Sequence, residues 1–303
     1  MPELSITLRE GHAHFTEGVL AAAGRHVHVA RMEVHTHGFV EIAVVTGGGG
    51  THLSLGGRHD IQVGDVFFLR PGVWHGYDCA HLELYNCGFS PELLYRELAW
   101  SHEDPLLGYL LWTAPLSKGR RGLLTTHLGA EQLRDCEAHL EALDRLRFKP
   151  LGLHRGDVIA ELTLVLGHVA RAVAADRDHA AEPSGPTHPV VAQAIQTLES
   201  RLQHPWTLTE LAAELHVSSS YLLRRFKAST GLPPMAYLAR RRVETAAEML
   251  LHSDETVGEI GDAVGWPDPN YFARRFRTHF GLSATTYRAR FAHTARQLRA
   301  VPP

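Results

Sequence analysis

The chain has 303 residues, of which 44% are hydrophobic and 21% charged, and a formal net charge of −3 at pH 7. That length accommodates two domains with separate cores, and the composition excludes a disordered, collagen-like or disulfide-framed chain. Three cysteines (Cys79, Cys87, Cys136) are odd in number and lack metal-site spacing, which fits free thiols in a reducing cytoplasm.

The first ten residues contain no basic stretch followed by an apolar run, so no secretory signal is expected. From about Ile6 to Phe89 short apolar or alternating runs are broken by glycine, as in Phe39–Val45, Thr51–Leu55 and Asp65–Leu69. Strands of this length and spacing predict an all-β barrel or sandwich over residues 1–90. Gly47–Gly50 has no following Lys-Ser/Thr and no helix after it, so a hairpin turn is expected in place of a phosphate loop. His35, His37 and Glu41 share parity along one apparent strand, and His75 lies on another. Three imidazoles and a carboxylate suit a divalent transition metal: Zn, Fe, Ni or Mn. No Ser/His/Asp or Cys/His arrangement stands in an interpretable context, so no catalytic residue is assigned.

After Pro91 the period becomes helical. Leu133, Cys136, Leu140 and Leu143 form one stripe, and Ile159, Leu162, Leu166, Val169 and Val173 another. Two such stripes predict an antiparallel helix pair joined near residues 150–152, serving either packing within the domain or a homodimer interface. The apolar stretch 158–173 is interrupted by Glu161, His168 and Arg171 and is too short to span a bilayer, so no membrane is expected as a partner. Residues 91–176 therefore read as a helical dimerisation segment, and the polar Pro/Gly/Ser stretch 177–188 as a linker.

The remainder, 189–303, carries a net charge of +4 and a repeat. Tyr221–Leu232 returns fifty positions later as Tyr271–Leu282, identical at six of twelve sites. Thr207/Glu210 and Thr256/Glu259 are capping boxes, with Trp206 and Leu211 forming a hydrophobic staple on the first. Each box opens a short helix that ends in a turn, and Ser218 or Asp268 caps the next helix, giving helix-turn-helix twice. A helix over 235–251 joins the two units and spans about 26 Å at ~1.5 Å per residue, enough to serve successive major grooves of double-stranded DNA. Leu222 and Phe226, like Phe272 and Phe276, fall on the inward stripe. Ser220, Leu223, Arg224 and Lys227 line the opposite stripe of one copy, and Asn270, Ala273, Arg274 and Arg277 that of the other. Arg matches guanine, Asn adenine, and Leu or Ala a thymine methyl. Ser218, Arg225, Lys227, Arg275 and Arg277 are better placed for phosphates.

The second copy, with Ala263-Val-Gly-Trp266, Asn270-Tyr-Phe272, Phe276, Gly281 and Tyr287-Arg288, resembles the DNA-binding domain of the AraC/XylS family of transcription regulators. Ala284 stands where the family usually has Pro. The resemblance implies base contacts from Ser220, Leu223, Arg224, Asn270, Ala273 and Arg274. It also implies a cytoplasmic regulator, more often an activator, that works as a homodimer beside RNA polymerase. The stretches around His35 and His75 resemble the paired motifs of the cupin barrel, although Val29, Cys79 and the early Gly47 depart from them. In sugar-sensing relatives that barrel holds the effector. There His35, His37, Glu41, Trp74, His75 and Tyr77 would bond hydroxyls or stack on a ring. Two further readings of the quartet stay open: a bound metal, or histidines satisfied by the barrel itself. At the level of the whole chain the alternatives are a metal-dependent cupin enzyme fused to a DNA reader, and a ligand-independent regulator.

Overall fold

The computed structural model describes residues 21–54, 56–116, 120, 122–177, 189–230 and 232–289. The expected strand material before Ala21 and the linker beyond Arg177 lie outside the described residues. Among the described residues seven strands form one antiparallel sheet: β1 (Ala21–His28), β2 (Met32–His35), β3 (Val40–Ser54), β4 (Gly57–Ile61), β5 (Asp65–Leu69), β6 (His75–Phe89) and β7 (Leu123–His127). The order is β1-β6-β3-β5-β7, with β2 on β6 and β4 on β3.

Strand alternation sorts the sheet into two faces. Val40, Ile42 and Val44 of β3, with Val66 and Phe68 of β5, face a cluster shared with the helices. Ala43 and Val45, with Phe67, Leu69, Tyr77, Leu82 and Leu84, fill the barrel interior. Glu41 has the parity of Ala43 and Val45, and so its carboxylate is committed to that interior.

Gly47–Gly50 is not the expected hairpin turn. It lies within β3, opposite β6, with register shifts between Val45 and Gly47 and between Gly49 and Thr51. Gly48 has φ +70, and a Cβ there would stand 2.3 Å from the carbonyl oxygen of His81. Glycine thus lets a bulged strand continue where a side chain would collide.

Between β6 and β7 the chain forms α1 (Pro91–Arg96), α2 (Pro105–Gly108) and a π-helical turn at Tyr109–Thr113. Two helices follow, α3 (Ala130–Leu146) and α4 (Leu151–Arg177). The segment 91–176 is therefore not wholly helical, because β7 completes the sheet beside β5. Both predicted stripes are spent inside the chain. Leu133, Cys136, Leu140 and Leu143 are buried with Leu162, Leu166, Val169 and Val173 against the sheet. These buried members of the stripes serve packing within the domain. Residues 152–176 are long and apolar enough to cross a membrane, longer than the 158–173 stretch suggested, yet Leu162, Val165, Leu166 and Val169 are fully buried in this cluster.

The C-terminal part is helical: α5 (Pro189–Ser200), α6 (Leu208–Glu214), α7 (Ser219–Thr230), α8 (Pro234–His252), α9 (Val257–Ala263) and α10 (Pro269–Phe280). A further helical stretch covers 284–289. Thr256 and Glu259 form the complete capping box. The first box is only half made: Thr207 accepts from the Glu210 N–H, whereas the Glu210 side chain turns to His204 at 2.7 Å. Each half has its own core, Leu211, Leu222 and Phe226 in one, Ile260, Phe272 and Phe276 in the other. The nineteen-residue α8 runs between them, about 28 Å at ~1.5 Å per residue.

Candidate effector pocket and nucleic-acid interface

The structure brings four of the six predicted effector residues together, by a route that parity along one strand does not describe. β2 ends at His35, His37 lies in the following loop, and Glu41 belongs to β3. The β2–β6 register sets His35 directly opposite His75. His75 Nε2 is 2.9 Å from His35 Nε2, 3.2 Å from His37 Nε2 and 3.3 Å from Glu41 Oε2. Glu41 Oε2 is 2.8 Å from His37 Nε2. All four residues are buried. Burial opposes ionisation of Glu41, but the adjacent His37 and His35 outweigh it and hold the carboxyl below its usual range. Burial and then the neighbouring His35 and His37 push the His75 imidazole well below its usual value, so its lone pair is free of a proton.

His35 Nδ1 lies 3.0 Å from the Glu33 carbonyl, which can only accept, so Nδ1 carries a proton and Nε2 faces the cluster. Tyr77 is at the margin, its ring 5.6 Å from that of His75, and its buried hydroxyl has no hydrogen-bond partner among the described residues. His52, absent from the sequence reading, stacks on Phe67 at 4.1 Å and lies edge-on to His75 at 5.7 Å. Burial lowers its pKa to about 3, so it stays neutral.

Trp74 does not join the pocket. Its indole donates to the Phe280 carbonyl at 3.3 Å, and its ring packs on the core of the second helix-turn-helix. The reason is tertiary: the Arg70–His75 segment is where the barrel meets the C-terminal domain. Thr36 Oγ1 is 3.4 Å from the Tyr287 hydroxyl, which donates to the Gly72 carbonyl at 3.2 Å. Gly72 has φ +81, and a Cβ on it would lie 2.8 Å from Phe280 and 3.0 Å from Ala247. Beside this seam, buried Arg70 donates to the Leu111 carbonyl and to Glu244, and Arg241 pairs with both Glu244 and Glu199. Arg70 and Glu244 were not read from the sequence; the one available signal is an arginine ending an apolar strand.

The two stripes expected to face DNA lie on the solvent side of α7 and α10. Ser220, Leu223, Arg224, Arg225 and Lys227 are exposed on α7, and Leu222 and Phe226 are buried behind them. On α10, Asn270, Ala273, Arg274 and Arg277 are exposed and Arg275 is half-buried, with Phe272 and Phe276 behind. Ser218 is exposed at the α7 N-terminus, where its hydroxyl accepts from the Tyr221 N–H at 3.3 Å. The two copies also agree in detail. Arg224 and Arg225 lie 5.9 and 5.5 Å from the Tyr221 ring, Arg274 and Arg275 5.3 and 6.0 Å from that of Tyr271. A guanidinium at that distance is attracted to the face of the ring.

Comparison with known proteins agrees with both halves. Residues 17–143 match an AraC-like ligand binding domain, and residues 211–290 a helix-turn-helix domain. The HTH-type transcriptional activator RhaR of Pectobacterium carotovorum is 28% identical over 283 residues, covering 91% of this chain and 92% of that one. RhaR of Klebsiella pneumoniae is 26% identical, covering 84% and 87%. Among solved structures, fatty-acid-bound ToxT from Vibrio cholerae shares the fold at TM-score 0.51 and 10% identity, covering 91% and 97%. With an effector domain followed by a helix-turn-helix domain, and relatives that align along most of their length, the chain belongs to the AraC family of transcription regulators.

Proposed function

We propose that the chain activates transcription in the cytoplasm in response to a small effector, of the sugar class, taken up by the barrel at His35, His37, Glu41 and His75. The observation that carries the DNA half is the pair of matching exposed stripes on α7 and α10, each backed by the same buried aromatic frame. In this reading Ser220, Leu223, Arg224, Asn270, Ala273 and Arg274 meet base edges, and Ser218, Arg225, Lys227, Arg275 and Arg277 meet phosphates. Because the two stripes differ in side chains, one monomer prefers an asymmetric site.

The activator role follows the activator names of the relatives, and RNA polymerase is its partner. With the helix stripes already buried, a homodimer uses the outer face instead, where Phe148, Leu153 and Leu164 are exposed. The protein is a regulator and not a catalyst: effector binding shifts an equilibrium between domain arrangements through different affinity for each. Selection of bound sequences from a random DNA pool, with and without sugar mixtures, tests the whole reading. An asymmetric consensus whose affinity changes with one sugar supports it. Absence of any enriched sequence refutes the DNA half, and enrichment indifferent to every sugar refutes the effector half.

A further inference from the structure

We infer that Arg242 sets the spacing between the two half-sites that the chain reads, by locking the two helix-turn-helix units to each other. The inference rests on α7 and α10 being the reading helices, and it gives a buried residue a part in the choice of site.

The connecting helix alone leaves that spacing loosely determined. α8 lends Tyr237 and Leu238 to the first core and Val243, Ala246, Ala247 and Leu250 to the second. The two cores are therefore separate bodies that share one helix. Such a helix fixes how far apart the bodies stand better than it fixes how each is turned about it. Arg242 is buried at the point where one core gives way to the other.

Its three hydrogen bonds run to main-chain carbonyls of both units. Nε donates to Leu202 at 2.8 Å and Nη2 to His204 at 2.7 Å, in the loop between α5 and α6 of the first unit. Nη1 donates to Gly265 at 3.0 Å, in the turn between α9 and α10 of the second. A guanidinium is planar and presents its N–H groups in a fixed fork, so carbonyls from two units satisfied together are held in one relative position. Main-chain carbonyls, unlike carboxylates on flexible stems, move only with the chain that bears them. The grips lie beside core tryptophans, Trp206 in the first unit and Trp266 in the second, and the guanidinium is 5.8 Å from the Trp266 ring. Gly265 permits the approach. Its φ is +83, and a Cβ there would stand 2.5 Å from the Gln203 carbonyl oxygen and 2.8 Å from Arg242 Nη2. The turn that leads into α10 is thus seated on the loop that leads into α6.

A reader locked in this way has one span. One base pair inserted between the half-sites shifts the far one by about 3.4 Å along the duplex and about 35° around it. α7 and α10 then cannot both seat. Without the fork each unit follows its own half-site. Tolerance of spacing rises, while affinity for the parent spacing falls because the units must be ordered on binding.

Ala228 and Thr278 are exposed at equivalent positions of α7 and α10. The full chain carrying Cys79→Ser, Ala228→Cys and Thr278→Cys, spin-labelled at those two sites, should give one narrow distance distribution in the absence of DNA. Arg242→Ala should broaden it at unchanged circular dichroism. Arg242→Lys, which keeps the charge but loses the fork, should broaden it as well, and carries the comparison should Arg242→Ala fail to fold. On an operator selected from the random pool, one inserted or deleted base pair should weaken wild type about tenfold or more, and Arg242→Ala about twofold or less. A broad distribution in wild type, or the same narrow one in both variants, overturns the lock. A loss in Arg242→Ala that is equal at every spacing overturns the spacing role, because general weakening of the domain does the same. Failure to select any operator refutes the reading of α7 and α10 and with it the spacing role, whereas the label distances decide the lock without DNA.

Discussion

Arg70, just after β5, donates to Glu244 of α8 at 2.9 Å, and neither side chain is open to solvent. The pair crosses from the barrel to the DNA-binding domain, so it reports on their docking more directly than any residue of either core. Removing one member of a buried pair costs about 3–5 kcal/mol when it strands the other, and less where a second partner remains, as Arg241 does for Glu244. Arg70→Ala should therefore lower the unfolding midpoint of the intact chain and speed proteolysis between the domains. An unchanged midpoint would show that the pair is already hydrated in solution.

The same carboxylate sets a pH dependence. Burial works against ionisation of Glu244, but Arg70 and Arg241 outweigh it, with His279 adding to them, and its pKa falls below the ordinary 4.5. A group depressed in the folded state stabilises fully above its unfolded value and stops doing so as pH drops through the folded one. Denaturant midpoints measured downward from pH 6 should hold until about 4.5 and then decline. The decline should be shallower in Glu244→Gln, which is less stable at neutral pH but has no charge to lose.

Base reading divides the two stripes into separable tests. Arg224→Ala and Arg274→Ala should each weaken specific binding by about 1–3 kcal/mol and relax discrimination in opposite halves of the site. Lys227→Ala and Arg277→Ala should weaken all sequences alike and reduce the dependence of log affinity on log salt by about one unit. Titrations of a selected operator and a scrambled one, at several salt concentrations, distinguish the classes. Loss of discrimination at position 227, and not at 224, would mean that α7 enters the groove rotated from the face assigned to it.

Thiol chemistry offers a check on the barrel. Cys87 and Cys136 are buried, and burial raises the Cys136 pKa to about 12, while Cys79 is partly exposed. A thiol that stays protonated is a poor nucleophile. One thiol per chain should react with a maleimide at pH 8 in the native protein, and three in denaturant. Two or more fast native reactions would contradict the packing of α3 on the sheet.

The C-terminal half was legible because its signals are local. Asp268 followed by Pro269, Thr256 paired with Glu259, and Gly265 in the turn each act within four residues, and the first copy carries the counterparts Ser218, Thr207 and His216. The barrel was less so. His35, His37 and Glu41 do converge, but through the pairing of β2 with β6 and a loop, which sequence parity cannot represent. β7 reaches the sheet only after a long helical excursion, so nothing near Leu123 announces its partner β5. Trp74 looks like a pocket aromatic until the second core is folded against it. Capping boxes foretold one bond too many at Glu210, since the competing His204 lies outside the motif.

Gly72 shows how finely the meeting of the two halves is gauged. The barrel and the DNA-binding domain touch there across the space of a hydrogen atom, with Phe280 and Ala247 standing where a methyl group would go. Any side chain at that position acts as a wedge between Phe280 and Ala247. The regulator thus carries a mechanical adjustment separate from its chemistry. A single substitution there would press on the meeting of the two halves without touching the barrel quartet or the exposed faces of α7 and α10.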